Sequence, residues 1–99
     1  MRVREPKRSI IVRRDVKIVN ELGLHARPAA QFVSHANSFH SEIWLIKNGQ
    51  RFSGTSMVDV LRANLDCGAT VTLEANGFDA KSAIDRLEKV VAELNDEEM

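Results

Sequence analysis

The sequence has no tyrosine, one cysteine, one tryptophan and two prolines among its 99 residues. Each shortage removes a class of function. A single cysteine, Cys67, rules out an internal disulfide framework and leaves no CxxC pair for zinc or thiol redox chemistry. A reducing compartment suits such a chain, and the cytoplasm is the expected location. Without tyrosine, and with no pair of aromatic residues on any strand-like segment, there is no platform on which nucleic-acid bases could stack. No apolar run approaches the roughly 20 residues of a membrane-spanning helix. The basic start lacks the apolar segment and small-residue cleavage site of a secretory signal, so secretion is not expected. Neither GxxxxGK[ST] nor GxGxxG occurs, which removes the usual glycine-rich cradles for nucleotide phosphates.

What is present fits one soluble globular domain: 43% of the residues are hydrophobic and 28% charged. A chain this short builds one modest core and little depth around a substrate, so chemistry is expected on an exposed patch. The formal net charge of zero hides an asymmetry. Residues 1–14 hold Arg2, Arg4, Lys7, Arg8, Arg13 and Arg14 against Glu5 alone. This stretch reads as a basic, flexible extension. A domain is expected over 15–95, and 96–99 reads as an acidic tail.

Turn signals divide the domain. Val16 and Ile18 alternate within 15–20, the mark of a short strand, until Gly23 interrupts it. From His25 onward, Ala26, Ala29, Ala30, Val33 and Ala36 recur at helical spacing, which predicts a helix ending near Asn37 with Phe32 at the margin of its apolar face. Asn48-Gly49 between two strand-like runs predicts a two-residue hairpin turn. Thr55-Ser56 before Met57, Val58, Val60 and Leu61 predicts a capped short helix. Thr70 to Ala75 alternates as a half-buried strand, and Asn76-Gly77 turns the chain. With Asp79 as N-cap, Ala80, Ala83, Ile84, Leu87, Val91 and Leu94 form the stripe of a last helix. The order is βαββαβα, an α+β arrangement in which helices cover one face of an antiparallel or mixed sheet. Trp44 and Ile46 share one face of their strand and Ile43 and Leu45 the other; the pattern alone leaves open which pair is buried.

The chemistry concentrates at Gly23-Leu24-His25-Ala26-Arg27-Pro28-Ala29. If the helix starts at Ala26, His25 is its N-cap and Pro28 stands at N3, where a missing N–H costs little. The amides of the first turn and the positive end of the helix dipole then favour an anion on the imidazole, and Arg27 adds a guanidinium. A neutral imidazole nitrogen is nucleophilic near pH 7, so a phosphoryl group has both an acceptor and an electrostatic clamp. Other constellations are poorer. His35 is rotated well away from His25 on the helix, and neither it nor His40 is accompanied by a metal-ligand set, so both read as surface histidines and no metal is expected. Ser34, His25 and Asp15 make a hydrolytic triad only on paper, with no nucleophile elbow around them. Met57 and Leu61 are candidates for an exposed docking face, methionine being adaptable enough to meet more than one partner.

The heptad around His25 resembles the active-site signature of the HPr family, the histidine-containing phosphocarriers of the bacterial phosphotransferase system, including its nitrogen-branch members. Asn48-Gly49, Ser56 and Asn76-Gly77 match that family at the right intervals, and Glu21-Leu22 is similar to the nitrogen branch. The resemblance implies an open-faced β-sandwich, a four-stranded antiparallel sheet with three helices on one face. It implies that His25 takes a phosphoryl group on Nδ1 from enzyme I, charged by phosphoenolpyruvate, and passes it to an enzyme IIA-type acceptor. Arg27 resembles the arginine that stabilises the transferring group, and Ser56 the position phosphorylated by an ATP-dependent HPr kinase in some members. Such a chain is a monomeric, stoichiometric carrier without cofactor, membrane span or turnover of its own. The alternative is a regulatory binding module switched by phosphorylation of His25 or Ser56. A nucleic-acid-binding domain using the basic arm is the weakest reading, for want of the stacking platform.

Overall fold

A computed structural model describes residues 10–20 and 23–97. The elements are β1 (Ile11–Lys17), α1 (Ala26–Ala36), β2 (Glu42–Lys47), β3 (Gln50–Ser53), α2 (Met57–Arg62), β4 (Thr70–Asn76) and α3 (Ala80–Glu97). The strands form one antiparallel sheet in the order β1-β4-β2-β3. The expected fold class is therefore found.

Alternation sets the two faces of this sheet. Val16, Val71, Leu73, Ala75, Ile43, Leu45 and Phe52 turn toward the helices and are buried. Ile43 and Leu45 thus take the core, while Trp44 and Ile46 lie on the open face, in register with Glu74 and Thr72 of β4. The hairpin forms as expected: Asn48 and Gly49 both have positive φ, 51° and 77°, as a two-residue primed turn requires.

Four details correct the sequence-based outline. First, β1 begins at Ile11, so Arg13 and Arg14 belong to the sheet and not to an extension. Their acids come from far along the chain: Arg13 Nε donates to Glu74 Oε1 at 2.7 Å, and Arg14 Nη1 to Asp85 Oδ1 and Glu88 Oε1, each at 2.9 Å. The remainder of the expected basic extension, residues 1–9, lies outside the described residues. Secondly, Phe32 is fully buried at the centre of the core, whereas Ala26 and Ala30 face outward. A stripe of Pro28, Ala29, Phe32 and Ala36 buries better than the mostly alanine one because it places the large ring in the core.

Thirdly, Asp79 is the N-cap of α3 by position, its carbonyl accepting the Ala83 N–H at 2.9 Å, but its carboxylate serves the segment just before β2. It accepts from the backbone N–H groups of His40 and Ser41, at 2.8 and 2.9 Å, and from the Ser41 hydroxyl. Burial opposes its charge, but those three donors outweigh it and hold the carboxyl below its usual range. Fourthly, Asp96 and Glu97 continue α3, so half of the expected acidic tail is helix. Glu98 and Met99 lie outside the described residues.

Candidate functional site

The start of α1 carries the predicted residues. His25 is the N-cap, with extended backbone (φ −80°, ψ −169°), and its carbonyl accepts the Ala29 N–H at 2.8 Å, the first intrahelical bond. Its side chain makes no capping bond and its surface is half-buried. A helix of this kind leaves the N–H groups of Ala26 and Arg27 without carbonyl partners inside the helix, and Pro28 at N3 has none to satisfy. Pro28 is buried and presses the first turn onto the core, while Arg27 is exposed at N2. Three groups favourable to an anion therefore gather at one helix end.

The loop before His25 is held against the segment that joins α2 to β4. Gly23 has φ +68°, and Leu24 is buried with its N–H on the Leu65 carbonyl at 2.9 Å. Asn20, only 1% exposed, holds Gly23 by two bonds: its Nδ2 donates to the Gly23 carbonyl at 2.9 Å and its own carbonyl accepts the Gly23 N–H at 3.0 Å. Sequence reasoning passed over Asn20, although an asparagine three residues before a loop glycine is a recognisable turn signal. Glu21 and Leu22, which carry the resemblance to the nitrogen branch, lie outside the described residues.

Packed beside α1 is α2. Ser56 is its N-cap, accepting the Asp59 N–H at 3.3 Å, and the Asp59 carboxylate reaches back to the Ser53 N–H at 3.0 Å. The acid within this apolar segment thus has a structural use. Asn37 at the end of α1 donates to the Thr55 carbonyl, tying the two helices together. Asn64, with φ 54°, ends α2 in a left-handed cap. Of the candidate docking residues, Leu61 is 42% exposed and Met57 packs partly against the core. Val58, at 66%, is the most exposed apolar side chain of this helix, and only the helix phase reveals it.

The remaining candidates stand apart from this end of α1. His40 stacks on Phe78 with ring centroids 5.3 Å apart. Ser34 is nine positions from His25, about 13 Å along the helix, and Asp15 accepts from the Thr72 hydroxyl on the open sheet face. Among the described residues no three His, Cys, Asp or Glu side chains are grouped to hold a metal. No helix among them is long and apolar enough to cross a membrane.

A family model described as "PTS HPr component phosphorylation site" matches residues 12–93, most of the chain and all of the site just described. The chain belongs to the HPr family. It is 44% identical over 79 residues to the phosphocarrier protein HPr of Buchnera aphidicola subsp. Acyrthosiphon pisum, covering 80% of this chain and 93% of that one. Among solved HPr structures it is similar to HPr-C-His from Thermoanaerobacter tengcongensis, with a TM-score of 0.84 and 34% identity over 89% of this chain and 99% of the other. It also resembles Crh of Bacillus subtilis, an HPr relative described as a swapped dimer, with a TM-score of 0.68 and 37% identity over 79% and 90% of the two chains. Membership of the HPr family makes this a phosphocarrier of the phosphotransferase system.

Proposed function

We propose that His25 is the phosphoryl acceptor, that phosphorylated enzyme I is its donor and that an enzyme IIA-type protein receives the group from it. The observation that carries this reading is a half-exposed histidine at the N-cap position of an 11-residue helix, two residues before an exposed arginine, Arg27. Its nucleophilic nitrogen, Nδ1 by family resemblance, attacks the phosphorus of a phosphohistidine on the donor. The new P–N bond forms in line as the donor's P–N bond breaks, and the donor imidazole leaves with that electron pair. Arg27 and the amides of the first turn stabilise the charge on the phosphoryl oxygens during transfer. The reverse geometry serves the acceptor. Both partners must reach the same atom, which suits a shallow surface and brief complexes. A single copy suffices, since His25 and Arg27 lie on one chain.

Exposed Val58 and Leu61, with Met57 beside them, supply an apolar patch on α2 for such partners. Ser56 borders it, and this favours a second reading in which a kinase phosphorylates Ser56 and the added charge regulates docking.

The direct test incubates the full chain with enzyme I and phosphoenolpyruvate. Wild type should gain one acid-labile phosphate; His25→Ala should gain none while melting within a few degrees of wild type, since an N-cap change costs about 0.5–2 kcal/mol. Acid-labile phosphate on the alanine variant would overturn the assignment.

A further inference from the structure

The loop that carries His25 is tied at its root to the far end of the chain. Asn95, near the C-terminus of α3, accepts the backbone N–H groups of Val19 and Asn20 on Oδ1, at 3.0 and 3.3 Å. Its Nδ2 donates to the Lys17 carbonyl at 3.0 Å. One carboxamide thus fills a donor and an acceptor role across the point where β1 ends and the loop begins. Only a side chain with both functions at this length can do so: aspartate keeps the acceptor and loses the donor, and alanine keeps neither.

From that point the restraint passes onward through covalent and hydrogen bonds. The Asn20 backbone held by Asn95 carries the buried carboxamide that donates to the Gly23 carbonyl at 2.9 Å. Gly23 leads to Leu24, whose N–H is fixed on Leu65, and Leu24 leads to His25. The first of these links comes from α3, an element that contributes none of the groups facing the phosphoryl position. In-line transfer needs the attacking nitrogen held close to the phosphorus along one direction, and a misplacement of about 1 Å can cost on the order of 100-fold in rate. Holding the loop root before the donor arrives removes part of that ordering cost.

We propose that Asn95 is a positioning residue for phosphoryl transfer at His25, acting through Asn20 and Gly23. The proposal rests on the reading of His25 as acceptor. It assigns to the last turns of α3 a role in the transfer step itself, separate from partner docking and from the stability of the core.

The test compares wild type, Asn95→Ala and Asn95→Asp with enzyme I charged by phosphoenolpyruvate, measuring kcat and KM for this chain, melting temperature and backbone amide exchange. Alanine favours the helix, so α3 should persist. Asn95→Ala should lower kcat by about ten-fold, leave KM within about two-fold, and speed exchange at Val19 and Asn20 while Leu73 and Phe32 exchange as in wild type. Asn95→Asp, which keeps both accepted bonds, should fall between the two. If the alanine variant melts without cooperativity, the aspartate variant carries the comparison, and wild-type kcat with an intact melt overturns the proposal. So does wild-type kcat for Asn95→Ala, or a change confined to KM. Should wild type itself accept no phosphate, the acceptor reading has failed instead, and unchanged exchange at Val19 and Asn20 would still refute the tie.

Discussion

Gly23 lies directly against Leu65. A Cβ built on Gly23 would come within 2.5 Å of the Leu65 carbonyl oxygen, the same oxygen that accepts the Leu24 N–H at 2.9 Å. Backbone meets backbone here with no room for a methyl group. The left-handed conformation of Gly23, φ +68°, adds a second reason for glycine at this position.

Gly23→Ala should therefore lower stability by about 1–3 kcal/mol, from strain and from separation of the loop and the α2–β4 connection. Because the same shift moves His25, phosphorylation by enzyme I should slow as well. Urea denaturation with an unchanged m-value and a lower midpoint would establish the first effect, and a phosphotransfer assay the second.

At Arg27 charge and shape can be separated. Arg27→Lys retains a cation but loses the planar fork, so transfer to His25 should slow measurably; Arg27→Glu reverses the charge and should fall much further. Equal rates in all three proteins would remove Arg27 from the transfer step. Since the side chain is exposed, melting temperatures should hardly differ.

For Ser56 the capping role and the regulatory role give opposite signatures. Ser56→Ala removes the acceptor for the Asp59 N–H and should cost about 0.5–1 kcal/mol with little effect on transfer. Ser56→Asp preserves an N-cap, so stability should hold, yet it places an anion beside Met57 and should weaken phosphorylation by enzyme I. A wild-type rate for Ser56→Asp would leave Ser56 with its capping role alone.

Glu74 predicts an acid-dependent step in stability. It is 3% exposed on the open sheet face, between Arg13 and Arg51, while the Arg51 guanidinium carbon lies 4.9 Å from the Trp44 ring centroid. The hydrogen bond from Arg51, with a further one from Arg13, outweighs burial and holds the Glu74 carboxyl below its ordinary value of 4.5. A depressed folded value means stability that is complete above the unfolded pKa and is lost as pH falls through the folded one. Stability should thus decline as pH drops below about 4.5. Asp79 and Asp85, also held low, add to the decline. Glu74→Gln should flatten part of that decline and cost on the order of 1–3 kcal/mol near neutral pH. Trp44 fluorescence followed against pH and urea measures both.

Much of this was legible from local pattern. The asparagine-glycine hairpin, the Ser56 cap, the helix opening at Ala26 and the stripe of α3 each depend on neighbours within a few residues, where turn chemistry and periodicity act. The heptad around His25 was legible for the same reason, because an N-cap histidine with arginine at N2 and proline at N3 is written in consecutive residues.

What sequence could not reach depends on partners distant in the chain. Arg13 and Arg14 read as a solvated extension until β4 and α3 bring Glu74, Asp85 and Glu88 beside them. Phe32 and Ala30 exchange their expected places because the phase of α1 is set by the core it packs into. Asp79 gives its carboxylate to His40 and Ser41, just before β2, and Trp44 takes the open face once Leu45 pairs with Leu73 in the core. By itself, then, the sequence determined the element order, the hairpin and the chemical identity of the His25 end of α1. The tertiary structure alone decided which faces are buried, which charges are paired and how Asn95, Asn20, Gly23 and Leu65 hold that end in place. Apart from the local Asn20–Gly23 pair, these are contacts across tens of residues, and only closure of the core brings such groups within hydrogen-bonding distance.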